Sequence, residues 1–264
     1  MRFTVTLNLT DTRLNILPIN YQYEFSAWIY HTIHNVDPVF SEWLHREGYS
    51  TGAQRFKFFT FSNLDIPHGG YKVDGDRLRI TAGSCSIQIS FLIGEAAMPF
   101  ITGVFQNQDF TIGDTKSRVS FRVSTIERMA DPVFGTEMVF HTLSPIVVGK
   151  SRLAEGGKGT AYLSPEDEDY GRLFFQNLSR KVTISQPETT ITPEQLTACK
   201  FELLDKPRSK KIQIKSSTAI PTSVIGYLYR FKLTAPPDWI RVGYFSGFGE
   251  KNGVGMGCVE IKSK

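Results

Sequence analysis

Arg2-Phe3-Thr4-Val5-Thr6-Leu7-Asn8-Leu9, followed after a short gap by Tyr21-Gln22-Tyr23-Glu24-Phe25-Ser26-Ala27-Trp28-Ile29-Tyr30-His31-Thr32-Ile33-His34-Asn35-Val36, sets the plan of the chain. In the first stretch Phe3, Val5, Leu7 and Leu9 fall on one face at period two, which predicts a half-buried strand. In the second, Tyr21, Phe25, Trp28, Ile29, Thr32, Ile33 and Val36 recur at spacings of three and four, the stripe of an amphipathic helix. A strand feeding a helix at the start of an α+β chain asks for a sheet with helices on one face.

The same alphabet continues outward. Asp37-Pro38 reads as an N-cap with proline at the first helical position, opening a short helix whose apolar side is Phe40, Trp43 and Leu44. Phe56–Phe61, Tyr71–Val73, Arg77–Thr81 and Val119–Ile126 read as strands, and Phe91–Phe105 has helical spacing weakened by Gly94, Pro99 and Gly103. Beyond a boundary at Asp131–Gly135, Met138–Val148 reads as a strand bent at Ser144-Pro145. Glu155–Gly159 reads as a flexible glycine-rich loop. Ser164-Pro165-Glu166-Asp167 reads as a helix start, with Tyr170, Leu173, Phe174 and Leu178 as the buried stripe. Phe201–Leu204 and Ile212–Lys215 are expected as strands joined by a basic turn, Lys206 to Lys211. Tyr227–Thr234 is expected as one strand, Pro236–Val242 as a short helix and Met256–Ile261 as a final strand. The second half repeats the first, so the expected fold is α+β, two tandem ferredoxin-like (RRM-like, β-α-β-β-α-β) domains over residues 1–131 and 136–264.

Composition bounds the function classes. With 264 residues, 41% hydrophobic and 21% charged, the chain can bury two cores and is no disordered segment. Cys85, Cys199 and Cys258 lie far apart, which gives neither a disulfide framework nor a thiolate zinc site and fits a reducing, cytoplasmic setting. The charge-free run Ile80–Gly94 is too short and too polar to span a bilayer. The net charge of +4 hides an asymmetry: residues 200–264 carry +7 and residues 1–199 carry −3. A positive end points to a polyanion such as nucleic acid, or to nothing more than a solvated surface.

Gly247-Phe248-Gly249-Glu250-Lys251-Asn252-Gly253-Val254-Gly255-Met256-Gly257 carries five glycines in eleven positions. Glycines give positive φ and close approach of a ligand to backbone N–H groups, so the segment reads as an anion cradle beside Lys251. It is neither a Walker loop nor a dinucleotide fingerprint. The same glycines would also serve two tight turns flanking the last strand.

Gly-hydrophobic-Gly, five residues, Gly-hydrophobic-Gly near the end of two ferredoxin-like units resembles the CRISPR-associated repeat-RNA endoribonucleases, the Cas-six family of the RAMP superfamily. Arg2-Phe3, Leu143-Ser144-Pro145-Ile146, Tyr162–Asp167 and Asn177–Lys181 are similar to the family in the same order, so the resemblance spans nearly the whole chain. It implies cleavage of CRISPR repeat precursor RNA without a metal or other cofactor. The ribose 2′-hydroxyl would attack the adjacent phosphate and leave 2′,3′-cyclic phosphate and 5′-hydroxyl ends. Such a reaction needs a base, an acid and a cation.

Family members often carry a tyrosine on the first helix, a histidine just beyond it and a lysine soon after. Tyr30, His45 and Lys57 match those positions. The resemblance implies His45 as general base or acid, Tyr30 as its partner in proton transfer and Lys57 as phosphate stabiliser. Exchange of roles between Tyr30 and His45 stays open, as does Arg55 in place of Lys57, and His31 and His34 are fallbacks.

Gly247, Gly249, Lys251, Gly255 and Gly257, with Lys206, Arg208, Lys210, Lys211 and Lys215, are the expected RNA contacts. Tyr227, Tyr229 and Phe231 have the period of either a base-stacking face or a core strand. Expected partners are the precursor RNA and other CRISPR-associated proteins of an effector complex, with no membrane; monomer and homodimer both remain open. The competing reading is a non-catalytic RNA-binding subunit on the same scaffold. A third is an unrelated phosphate-binding protein that uses the glycine loop alone.

Overall fold

The computed structural model describes residues 1–51, 54–151, 159–214 and 222–262. It begins as the pattern predicts, with β1 (Arg2–Leu9), the short β2 (Ile16–Pro18), α1 (Gln22–Val36) and α2 (Pro38–Arg46). The Asp37 side chain accepts a hydrogen bond from the Phe40 amide at 2.9 Å, capping α2 as expected. Hairpin strands β3 (Tyr49–Thr51) and β4 (Gln54–Phe56) follow, then β5 (Phe59–Phe61) and a second hairpin, β6 (Tyr71–Asp74) and β7 (Arg77–Ile80). The half closes with β8 (Ser84–Phe91), α3 (Gly94–Gln106), β9 (Asp109–Gly113) and β10 (Arg118–Arg128).

The main sheet of this half has the antiparallel order β5-β8-β1-β10-β9. Without the added edge strand β9, the core strands in chain order stand 2-3-1-4, the ferredoxin-like arrangement. Helices α1 and α3 pack on it. Phe25, Trp28, Ile29 and Ile33 of α1 are buried with Val5, Leu7, Ile87, Ile89, Phe100 and Phe121.

The second half runs β11 (Glu137–Thr142), β12 (Gly149–Ser151), β13 (Thr160–Tyr162), α4 (Tyr170–Ser185), α5 (Pro193–Ala198), β14 (Lys200–Leu203), β15 (Arg208–Ile214), β16 (Thr222–Leu228), β17 (Arg230–Thr234), α6 (Pro237–Ser246) and β18 (Val259–Ile261). Its sheet order, β14-β17-β11-β18, is again 2-3-1-4. Phe140, Phe174, Leu178, Phe231, Trp239, Ile240 and Phe248 fill its core. The two halves are stapled together by Arg2. Its buried guanidinium donates to the Val259 carbonyl at 2.5 Å and the Tyr244 carbonyl at 2.7 Å and lies 3.7 Å from the centre of the Tyr244 ring.

Several elements depart from the sequence expectation. The central strand β8 lies inside the charge-free run 80–94, where Cys85, Ile87, Ile89 and Phe91 alternate inward. Burial from both neighbouring strands, not a local turn signal, makes it a strand. Phe56–Phe61 is not one strand, because Phe58 has φ 53° and breaks it between β4 and β5. Left-handed backbone at a non-glycine residue costs about 1–2 kcal/mol; here the Phe58 ring is held against Phe56 and Tyr49, at 6.0 and 4.8 Å between centroids. Helix α4 starts at Tyr170 instead of Ser164. The Asp167 carboxylate accepts from the Ser164 amide at 2.7 Å and closes a separate turn first.

The bent strand Met138–Val148 stops at Thr142, and Tyr227–Thr234 divides between β16 and β17, which belong to different sheets. Tyr229 and Phe231 are core residues rather than a stacking face: the Tyr229 hydroxyl meets that of Tyr170 at 2.5 Å, and both tyrosines are buried. The basic segment is a strand, not a turn. Arg208–Ile214 pairs with Thr222–Leu228, so Arg208 and Lys210 project from one side and Lys211 from the other. Lys215 and most of the glycine-rich loop 155–159 lie outside the described residues.

Candidate RNA-cleavage site

A cavity of about 650 Å³ opens where α1, α2 and the β4–β5 junction face the glycine-rich loop after α6. Tyr30, His45, Arg55 and Lys57 line it from the first half, and Asn177 and residues Glu250–Val254 line it from the second. Tyr30 points away from the apolar stripe of α1, as its helical position requires. His45 sits in the last turn of α2, exposed, with its ring edge-on to Tyr30 at 5.0 Å between centroids. Phe59 flanks Tyr30 at 5.5 Å, and burial pushes the Tyr30 phenol pKa well up, so the hydroxyl stays protonated.

Lys57 is placed by the break at Phe58. Its Nζ donates to the Leu44 carbonyl at 2.5 Å and the His45 carbonyl at 2.8 Å, while Arg55 Nη1 donates to the Arg46 carbonyl at 2.7 Å. Two cations thus satisfy the free carbonyls at the C-terminus of α2, where the helix dipole favours positive charge. Partial burial, with Arg55 nearby, brings the Lys57 pKa down to about 8.

Residues 250–254 of the loop make the opposite wall, whereas Gly247, Gly249, Gly255 and Gly257 are buried and do not line the cavity. Gly247, Gly249, Gly255 and Gly257 all have positive φ, between 66° and 85°. A Cβ at Gly257 would overlap the Phe248 carbonyl oxygen, and one at Gly255 would overlap the Phe61 ring. Gly253 serves by closeness instead: a Cβ there would lie 3.0 Å from Lys57 Cγ and 3.5 Å from the Tyr30 hydroxyl. Lys251 is exposed, itself left-handed at φ 62°.

Three residues that the sequence reading gave no role hold this wall in place. Ser26 Oγ donates to the Gly253 carbonyl at 2.6 Å, Thr60 Oγ1 to that of Met256 at 2.8 Å, and Lys181 reaches the loop from α4. Only Lys181 had a visible signal, a lysine on the buried side of a helix stripe.

Tyr30, His45, Lys57 and Lys251 are therefore brought together, whereas Lys206, Arg208, Lys210 and Lys211 line none of this cavity. Lys206, Arg208 and Lys211 are exposed; Lys210 is partly covered, and burial pushes its pKa down. His31 and His34 are exposed on α1 but do not line the cavity either. Among the described residues no group of three or more His, Cys, Asp and Glu side chains gathers as a metal site. No helix there is long and apolar enough to cross a membrane.

Two ferredoxin-like halves joined through Arg2, with a glycine-rich loop lining a cleft with a tyrosine, a histidine and a lysine, define a double ferredoxin-like protein of the RAMP class. Residues 129–261 match the family model described as CRISPR associated protein Cas6, C-terminal, and residues 16–127 match CRISPR-associated protein Cas6, N-terminal. The chain belongs to the Cas6 family.

Among its relatives is the CRISPR-associated endoribonuclease Cas6 1 of Methanocaldococcus jannaschii, 28% identical over 97% of this chain and 91% of the relative. The CRISPR-associated endoribonuclease-like protein Cas6nc of Pyrococcus horikoshii is also 28% identical, over 93% of each chain. A solved structure of a RAMP protein binding different RNA substrates superposes with a TM-score of 0.79 at 26% identity, covering 100% of both chains.

Proposed function

We propose that this protein cuts CRISPR repeat precursor RNA in the cleft between its halves, without a metal ion. The observation that carries the reading is the single cavity lined at once by Tyr30, His45, Lys57 and the glycine-rich loop. Relatives named as CRISPR-associated endoribonucleases support the substrate class.

The 2′-oxygen attacks the adjacent phosphorus and its proton passes to a base. The P–O5′ bond breaks, and the departing oxygen takes a proton from an acid, leaving a 2′,3′-cyclic phosphate and a 5′-hydroxyl. His45, the exposed imidazole of the cleft, is the proton-transfer group, because its ring carries two nitrogens that can accept or donate a proton. Tyr30 is a donor: its protonated phenol can hydrogen-bond a phosphoryl oxygen or hand a proton to the leaving oxygen. Lys57, still an ammonium below its pKa of about 8, offsets the charge that builds on the phosphorane.

The loop and Lys251 hold the RNA backbone, and Lys206, Arg208, Lys210 and Lys211 extend the positive surface beyond the cleft. Other CRISPR-associated proteins of an effector complex would receive the product. The reading places the protein in the cytoplasm, where the precursor is transcribed.

A second reading, an RNA-binding subunit that does not cut, is favoured by one feature. Two of the three Lys57 N–H bonds are committed to helix carbonyls rather than to the open cleft. One experiment separates the two readings: incubation with a repeat RNA in EDTA, beside a substrate carrying a 2′-deoxyribose at the cut. Cleavage in EDTA, lost with the deoxy substrate and leaving cyclic phosphate ends, supports the enzyme. Binding without cleavage supports the second reading, and cleavage that needs an added metal overturns the mechanism.

A further inference from the structure

The glycine-rich loop is bonded from beneath by a buried lysine that no part of the cleavage chemistry uses. Lys181, on α4, is 1% exposed. Its Nζ donates to the Gly247 carbonyl at 2.6 Å, the Gly249 carbonyl at 2.7 Å and Asn252 Oδ1 at 2.6 Å. Asn252 Nδ2 in turn donates to the Phe248 carbonyl at 3.1 Å and the Met256 carbonyl at 2.9 Å. An ammonium has three N–H bonds, and all three meet an oxygen of the loop. Such an ion is expensive to bury unless every donor is satisfied. Burial pulls the Lys181 pKa down to about 7, with the Glu250 carboxylate opposing that shift, while the three acceptors around Nζ are the geometry of a protonated amine.

These bonds sort the loop's backbone by polarity. With Ser26 on the Gly253 carbonyl and Thr60 on that of Met256, the carbonyls of 247, 248, 249, 253 and 256 are each held by a side chain. The carbonyls of 247, 248, 249 and 256, drawn to Lys181 and Asn252, keep their negative partial charge away from an approaching anion, while that of Gly253 is covered by Ser26 at the cleft. Gly253 sits on the cleft wall against Lys57 and Tyr30, and Lys251 lines the same cleft.

We propose that Lys181, acting through Asn252, is a positioning residue that draws the carbonyls of the glycine-rich loop inward so that the loop can accept an RNA phosphate. The proposal rests on the cleft being the RNA site. It predicts that the loop, not the fold, depends on this lysine.

The test compares wild type with Lys181→Met and, as a second variant that keeps the buried lysine, Asn252→Ala. Amide exchange resolved along the chain and binding of a 2′-deoxy repeat RNA are measured for each. Expected are faster exchange confined to 247–257, with β11 and β17 unchanged, and a dissociation constant raised about tenfold, the scale of one charge-assisted hydrogen bond. Cleavage at saturating RNA should fall less than affinity, the reverse of a variant in proton transfer. Effects of the two substitutions should be well short of additive, since they break one network.

If Lys181→Met unfolds, the same readouts on Asn252→Ala decide. Unchanged exchange in the loop, or unchanged affinity with a loosened loop, overturns the proposal. A wild-type protein that binds no repeat RNA breaks the functional reading instead, and loop exchange still judges the role of Lys181 in shaping the loop.

Discussion

The two halves share one strand order, 2-3-1-4, yet they furnish the cleft by opposite means. The first half contributes side chains: Tyr30 from a helix interior, His45 from a helix end and Lys57 from a broken strand. The second contributes backbone, a loop of glycines between its last helix and last strand. Their lysines show the same contrast. Lys57 caps helix carbonyls at the mouth of the cleft, partly open to water, whereas Lys181 is fully enclosed and spends all its donors on the loop. Reactive groups need access and freedom to exchange protons; a backbone cradle needs rigidity, and rigidity is supplied from beneath. Two copies of one fold can thus divide the work of a single site.

That division can be broken most sharply at His45. His45→Ala is expected to lower the single-turnover cleavage rate by about 10²–10⁴-fold, the usual range for a proton-transfer group, with little change in RNA affinity. Cleavage at the wild-type rate would remove the imidazole from the mechanism.

Lys57 comes next. Its pKa of about 8 lies below that of a free lysine, so the charge is present below pH 8 and lost as pH rises through that value. The cleavage rate should therefore decline above about pH 8. Lys57→Arg, which stays charged at any accessible pH, should lose that decline even if its maximum rate is lower. A pH–rate profile of the two proteins checks this, and an identical alkaline limb in both would assign it to another group.

The loop side divides into two kinds of glycine. Gly255→Ala places a Cβ on the Phe61 ring with φ at 76° and is expected to lower the melting temperature by several degrees, in proportion to a left-handed penalty of about 1–2 kcal/mol plus the clash. Gly253→Ala has no such penalty but crowds Lys57 and the Tyr30 hydroxyl. It should slow cleavage roughly tenfold, about 1.4 kcal/mol, while the melting temperature barely moves. Thermal denaturation beside single-turnover kinetics tells the two apart.

The smallest effects are expected outside the cleft, where Lys206→Ala, Arg208→Ala or Lys211→Ala should each weaken binding modestly. Each lost phosphate contact should make the slope of log K against log salt shallower by about 0.7. Unchanged slopes would leave that strand as solvated surface.

How much of this was legible depended on how local the signal was. The α1 stripe and the Asp37-Pro38 cap were readable because helix period and capping are properties of neighbours in sequence. Strand β8 was missed although Cys85, Ile87, Ile89 and Phe91 alternate with Ser84, Ser86, Gln88 and Ser90; its place in the sheet comes from pairing with β1 and β5. The basic segment 206–211 was read as a turn from its proline and charge, but residues 208–211 pair with partners at 225–228, outside the window of turn chemistry. Tyr30, His45 and Lys57 were named through the family pattern. Their meeting in one cleft depends on the Phe58 break, which no residue type announces.

The sequence by itself determined the alternation of strands and helices, the duplicated plan and the glycine-rich loop, since each is written in spacing or in residues with special backbone freedom. The tertiary structure alone decided that the loop of one half faces Tyr30, His45 and Lys57 of the other, and that a lysine buried in α4 bonds its carbonyls. Those relations join residues far apart along the chain, and only the closing of the two cores over Arg2, Ser26 and Thr60 brings them within hydrogen-bond reach.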